Sequence, residues 1–130
     1  MRQNKKIFLL LIVLFFGGCV TAPKLPLEDL VGKKQAKISW QSITLHHSAT
    51  SQGNAEVFDY DHRSRGLGGL AYHFVIGNGS DSGDGEVEVG WRWLQQKEAD
   101  RKGDIQICLV GNFNNSEPTA AQFAALIDLL

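Results

Sequence analysis

Two adjacent histidines, His46 and His47, close a short apolar stretch, ITLHH, and a second stretch, LAYHFVI, carries Tyr72 and His73. Imidazole is the commonest protein metal ligand and a proton acceptor near neutral pH, and a phenol can donate a hydrogen bond to a developing oxyanion. Metal-assisted hydrolysis is the chemistry that these side chains would allow. Neighbours on a strand point to opposite faces, so His46 and His47 cannot easily converge on one metal ion. By the same two-residue period, Phe74 should share the face of Tyr72, while His73 points away into the core. His62 lies in DYDHRSRG beside Asp59 and Arg63, at the spacing of a solvated polar helix face, with the edge of a groove as its other reading. Cys108, between Ile107 and Leu109, reads as a small packing residue rather than a thiolate ligand.

The elements that must position these residues follow from pattern. A short strand is expected at Ile43 to His46. Asn54 should cap a helix from about Ala55 to Arg65, with Val57, Phe58 and Tyr60 turned inward and GLGG ending it. Residues 70–76 read as a buried strand, GNGSDSGDG as turn material, and EVEV as a half-buried strand, which together make a hairpin. IQICLVGNF is apolar nearly throughout and is expected to be a central strand. Pro118 and Thr119 open a last helix in which Thr119 and Gln122 have capping-box spacing. Phe123, Leu126, Ile127 and Leu130 follow at helical intervals, and the pattern is still running at Leu130, as in a domain that is incomplete or cut short at its C-terminus. The loop at 81–86 lacks the alternating oxygen ligands of a calcium site, and GNG lacks the rest of a nucleotide fingerprint.

The N-terminus reads as an export signal: Arg2, Lys5 and Lys6 precede an apolar run that ends in Gly17, Gly18 and Cys19. That run is about half the roughly 20 residues that a membrane-spanning helix needs. The small residues before Cys19 resemble a bacterial lipobox, although Phe16 stands where leucine is usual. Residues 1–18 are therefore expected to be a lipoprotein signal, Cys19 the lipidated residue, 19–37 a tether, and 38–130 the folded domain. The expected location is a membrane surface, the outer membrane facing the periplasm where a cell has two. Arg2, Lys5 and Lys6 are the only charges in the first 18 residues, so the net charge of −1 becomes −4 without them. An acidic domain of this kind argues against nucleic acid as a partner. With Cys19 lipidated, Cys108 has no partner for an intramolecular disulfide, and stability must come from packing.

ITLHHSAT, then LAYHFVIGNG, then ICLVGNF, in that order, resembles the amidase-2 and peptidoglycan recognition protein family, and the resemblance runs from about Trp40 to Leu130. It implies an α/β fold, with a mixed central sheet flanked by helices and the site at the C-terminal end of the strand that carries His46. It implies that His46 binds Zn²⁺ and that Tyr72 serves catalysis by hydrogen-bonding the metal-bound water or the oxyanion. His47 and His62 would support the site or line its groove. The function implied is that of a zinc-dependent N-acetylmuramoyl-L-alanine amidase, a peptidoglycan hydrolase that cuts between N-acetylmuramic acid and L-alanine. Peptidoglycan is then the partner, the membrane is met through the N-terminal lipid, and the protein is a monomer. Two departures bear on this. The family's other zinc ligands, a histidine and a cysteine from beyond the last helix, have no counterpart here, and the segment between Trp93 and Ile105 lacks the longer Gly-Ala-His stretch of relatives. The alternatives are a non-catalytic peptidoglycan-binding lipoprotein or an inactive fragment.

Overall fold

The computed structural model describes residues 38–130. The expected signal, the lipidation site Cys19 and the tether lie outside the described residues. The elements run β1 (Ser42–His47), α1 (Ala55–Ser64), β2 (Phe74–Ile76), β3 (Val87–Val89), α2 (Trp91–Leu94), β4 (Asp104–Leu109) and α3 (Ala120–Leu129).

The strands form one sheet in the order β1-β4-β2-β3. β4 runs parallel to both β1 and β2, and β3 closes an antiparallel hairpin on β2, so the sheet is mixed as expected. Its faces follow from alternation along SITLHH and DIQICL. Phe74, Ile76, Ile107 and Leu109 meet Ala125 and Leu126 of α3 on one side. On the other side Val75, Cys108 and Val110 meet Phe58 of α1 and Leu70.

Local chemistry fixes both long helices. The Asn54 side chain accepts from Val57 N at 2.9 Å, and the half-buried Glu88 carboxylate of β3 accepts from Ala55 N at 3.1 Å. An anion at a helix N-terminus also meets the positive end of the helix dipole. At the other end Gly66 N bonds Arg63 O and Leu67 N bonds His62 O, both at 2.9 Å, with Gly66 at φ +79°. Such a closure requires a left-handed residue, which glycine supplies without strain. The capping box of α3 forms as expected. Its Gln122 also reaches under the sheet and donates to Ile76 O at 3.1 Å and Val110 O at 2.8 Å, pinning the helix to two strand ends.

Three expectations about these elements need correction. α1 buries Phe58 and His62, four residues apart, while Val57 and Tyr60 are 49% and 78% exposed. α3 faces the sheet with Gln122, Ala125 and Leu126, leaving Phe123, Ile127 and Leu130 exposed; the small Ala125 lets the helix axis approach on that line. Finally, 70–73 is not strand. Leu70 N donates to Asp59 Oδ1 at 2.7 Å, and Leu70 O accepts from Trp91 Nε1 at 3.0 Å and Arg92 Nε at 3.1 Å. At Leu70 side chains have satisfied the backbone groups that a ladder would otherwise use, and backbone pairing begins only at His73, whose N bonds Gln106 O at 2.8 Å.

Candidate functional site

His46 is the penultimate residue of β1, and its side chain shares a sheet face with Thr44, Asp104 and Gln106. Asp104 is fully buried and accepts from Ser42 Oγ at 2.5 Å, from Thr44 Oγ1 at 2.7 Å and from Gln106 Nε2. The hydroxyl bonds from Ser42 and Thr44 hold its carboxyl below the usual carboxylate range. A carboxylate can only accept, so Gln106 must turn its amide nitrogen to Asp104 and its carbonyl to His46. His46 Nε2 is hydrogen-bonded to Gln106 Oε1 and is therefore the protonated nitrogen, which leaves Nδ1 bare. The chain from Ser42 and Thr44 through Asp104 and Gln106 thus fixes one tautomer of His46.

Tyr72 lies beside His46 with ring centroids 5.4 Å apart, and His62 meets the other edge of Tyr72 at 5.3 Å. His62 is buried, and its Nδ1 accepts from Ala71 N at 3.0 Å, so its Nε2 carries the proton in the neutral ring. Burial, with the Arg65 charge after it, lowers its pKa. This overturns the solvated-face reading: the fold turns the Phe58–His62 line inward, and His62 borders the same cleft as His46 and Tyr72. The cleft has a volume of about 560 Å³.

Tyr72 packs with Val75 and Cys108, whereas Phe74 faces the opposite core, so the expected sharing of a face by Tyr72 and Phe74 is wrong. Strand alternation begins only at Phe74. Beneath the phenol lies the Cys108 thiol, fully enclosed and pushed up to about 12 by burial. Burial likewise pushes Tyr72 up to about 12, so the phenol keeps its proton at neutral pH.

The other two histidines lie elsewhere. His47 points to the opposite face, where its Nδ1 accepts from Phe113 N at 2.9 Å. His73 is fully buried; its Nδ1 accepts from Gln106 N at 2.9 Å and its Nε2 donates to Lys97 O at 3.0 Å, so it buttresses the strand that carries Gln106.

A catalytic zinc takes about three protein ligands. Among the described residues no three His, Cys, Asp or Glu side chains converge on one point. His46 offers a single nitrogen, its bare Nδ1, because Gln106 engages Nε2. Cys108 is protonated and enclosed. The described residues therefore do not fit a zinc ion. Sequence reasoning missed Asp104 and Gln106, although S-I-T-L-H and D-I-Q-I-C both alternate polar and apolar residues.

These features define an α/β domain with a cleft on the sheet face of a parallel edge strand, lined from Asp104 at the start of β4 to His46 near the end of β1. The sequence matches the N-acetylmuramoyl-L-alanine amidase family over residues 35–130, and the chain belongs to that family. Among solved structures it is similar to the endolysin N-acetylmuramoyl-L-alanine amidase LysCS from Clostridium intestinale URNW, with 26% identity and a TM-score of 0.61 over 71% of this chain and 59% of that one. It is also similar to the N-acetylmuramoyl-L-alanine amidase LysC from the same organism, with 24% identity and a TM-score of 0.62 over 77% of this chain and 66% of that one. A third similar structure is human PGRP-IBETAC in complex with glycosamyl muramyl pentapeptide, with 17% identity and a TM-score of 0.59 over 78% of this chain and 70% of that one. At under 25% identity the last two show the fold alone. This chain spans less than two thirds of the length of either amidase. No curated protein matches the sequence significantly.

Proposed function

We propose that the cleft receives the muramyl peptide of peptidoglycan and that the described residues act as a binding domain. The observation that carries this is the joining of His46, Tyr72 and His62 in one cleft of a chain that belongs to the amidase family. The cleft supplies oriented polar groups: Tyr72 keeps its phenolic proton and lies against the Cys108 thiol, and His62 presents one ring N–H while its other nitrogen is fixed by Ala71. A concave site with a few fixed polar groups suits recognition of a ligand of mixed polarity.

Hydrolysis of the amide between N-acetylmuramic acid and L-alanine is a second reading, favoured by the family match and by the 26% identity to an endolysin amidase. The described residues offer His46 and Tyr72 toward it without a set of metal ligands. One experiment addresses both readings. Full-length protein is spun down with purified peptidoglycan, with and without added zinc, and the supernatant is assayed for new amino termini. Cosedimentation that falls about tenfold in Tyr72→Ala, with no release of peptides, is the expected result. Zinc-dependent release that His46→Ala abolishes would establish the hydrolase instead, and protein that stays in the supernatant throughout would sink the binding reading.

We further propose that Cys19 carries the lipid and that the domain works at a membrane surface facing the wall. The basic, apolar and Gly-Gly-Cys order of residues 1–19 supports this. Retained palmitate labelling in Cys19→Ser would refute it.

A further inference from the structure

Charge is segregated along the strand axis of the domain. The parallel strands β1, β4 and β2 all begin at one end of the sheet, and β3, antiparallel to β2, finishes there and leads into α2. At this end Gln41 N and Ser42 N bond Gly103 O at 2.7 and 3.2 Å, so the chain enters the domain directly beside the segment that joins α2 to β4. α1 starts at the far end, where Asn54 Nδ2 donates to Asp81 O at 3.2 Å, and runs back toward the entry end. Every lysine and arginine between residues 38 and 130 lies on the segments gathered at the entry end: Arg63 and Arg65 close α1, Arg92 is on α2, and Lys97, Arg101 and Lys102 follow it. The far end is acidic, with Asp81, Asp84 and Glu86 in the β2–β3 turn and Glu117 before α3, all exposed.

Half of these cations are committed inside the domain. Arg63 pairs with Asp59 and Arg65 with Asp61, each at 2.6 Å, and Arg92 is drawn inward to Leu70 O and Glu98 O. Lys97, Arg101 and Lys102 are left as an exposed group. Of the acids among them, Glu98 turns its carboxylate to Gly103 N at 2.9 Å, and only Asp100 faces solvent. The residues that lead into the domain add Lys33, Lys34 and Lys37, with no acid after Asp29. Leu94, at the end of α2, is 65% exposed on the same end.

We infer that the entry end is a docking face for anionic phospholipid headgroups, which stands the domain upright on the membrane that holds its N-terminus. This goes beyond a lipid on Cys19 and rests on that reading for the position of the membrane. Clustered lysines and arginines next to a membrane attachment are drawn to an anionic leaflet, and their long stems let the charge reach the headgroups while apolar carbons stay on the protein. A headgroup layer is fluid, so mobile surface cations suffice where a fixed ligand would need a built site. Leu94 adds an apolar side chain that can enter the interface. The acidic far end is repelled by the same leaflet, so both ends of the domain turn it the same way. The attraction acts within about 10 Å at 0.1 M salt, a distance that a domain attached at this end can close.

The test uses the full chain as its host processes it, reconstituted into nanodiscs of phosphatidylcholine alone or of phosphatidylcholine with phosphatidylglycerol. Amide hydrogen exchange is followed by mass spectrometry. Exchange over residues 91–103 should be severalfold slower in the discs with phosphatidylglycerol, with the far-end turn at 77–86 unchanged, and the slowing should fade as salt is raised. A variant carrying Lys97→Gln and Lys102→Gln, both on exposed side chains, should lose the slowing, stay attached to the discs and keep the slow exchange of β2 and β4. Equal exchange over 91–103 in the two kinds of disc would overturn this inference and leave the lipid on Cys19 standing. Slowing that survives in the double variant would also overturn it. Protein that stays on discs with phosphatidylglycerol but leaves those without it would uphold the docking face and sink the lipid anchor. Protein that leaves both would sink the two together.

Discussion

Replacing Asp104 by asparagine keeps the size and shape of the side chain while removing its charge, and the consequences can be worked from its three donors. Thr44 Oγ1 and Gln106 Nε2 share Oδ2, while Ser42 Oγ takes Oδ1. The new amide nitrogen must face one of these groups. The least costly arrangement places it toward Ser42, whose exposed hydroxyl can turn to accept. The two donors at Oδ2 then bond a neutral oxygen in place of an ionised one. Hydrogen bonds to charged groups contribute about 1.5–3 kcal/mol each and neutral ones about 1 kcal/mol. Asp104→Asn should therefore cost about 2–3 kcal/mol. With an m-value near 1 kcal/mol/M, the urea midpoint falls by about 2–3 M. The gap should depend on pH in a definite direction. The carboxyl is held below its ordinary pKa in the fold, so its stabilisation is fully present above the unfolded value of about 3.9 and is lost as pH falls through the lower folded value. Wild type and variant should thus converge toward pH 3. The imidazole ¹⁵N shifts of His46 give a separate readout, because a Gln106 freed from the carboxylate can flip and reverse the tautomer. A loss below about 0.5 kcal/mol, a gap that is the same at pH 7 and pH 3, and an unchanged tautomer would together refute the relay.

Gly85 has φ +73°, and a Cβ there would lie 2.6 Å from Ala121 O and 2.8 Å from Ala121 C, so Gly85→Ala should push α3 off the β2–β3 turn and cost about 3 kcal/mol. Gly79→Ala, at φ +85° with nothing nearer than 3.4 Å, should cost about 1 kcal/mol; equal urea midpoints for the two variants would contradict this packing argument. Burial lowers the pKa of both His62 and His73, so below about pH 6.5 the unfolded chain binds protons that the folded chain refuses. Thermal melts should show stability falling from pH 7.5 to pH 5.5, with a shallower fall in His73→Gln, and stability that rises over that range would disprove it.

Much of the architecture was legible in sequence because it rests on local rules. Asn54 and Thr119 act as caps, EVEV alternates, and the glycine-rich GNGSDSGDG links the two strands of a hairpin. What the sequence obscured depends on groups far apart in the chain. Leu70 and Ala71 look like strand residues, yet their backbone groups are claimed by Asp59, His62, Trp91 and Arg92. His62 reads as polar surface until α1 is laid with Phe58 inward, and its burial then follows from a spacing of four. Gln106 was hidden by the apolar character of β4 as a whole, although it occupies every second position with Asp104. Its meaning emerges only when β1 is set beside it and places His46 within reach of its amide. The expectation of His46 as a metal ligand came from resemblance, and the contact that orients its ring, Nε2 to Gln106, shows in no local pattern.

The pairing of the first strand with the last has a kinetic consequence. His46 and Gln106 are 60 residues apart in sequence, and among the described strands β1 pairs with β4 alone. Closing a loop of that length costs about 4 kcal/mol of chain entropy before any contact offsets it. The hairpin and its flanking helices can form from nearby segments, whereas β1 must wait until β4 is in place. Until then His46 has no orienting amide, Asp104 has no hydroxyls from Ser42 or Thr44, and the cleft lacks a wall. Completion of the sheet and assembly of the cleft should thus be one late, cooperative event, and a chain arrested before it would hold most of its secondary structure without the cleft.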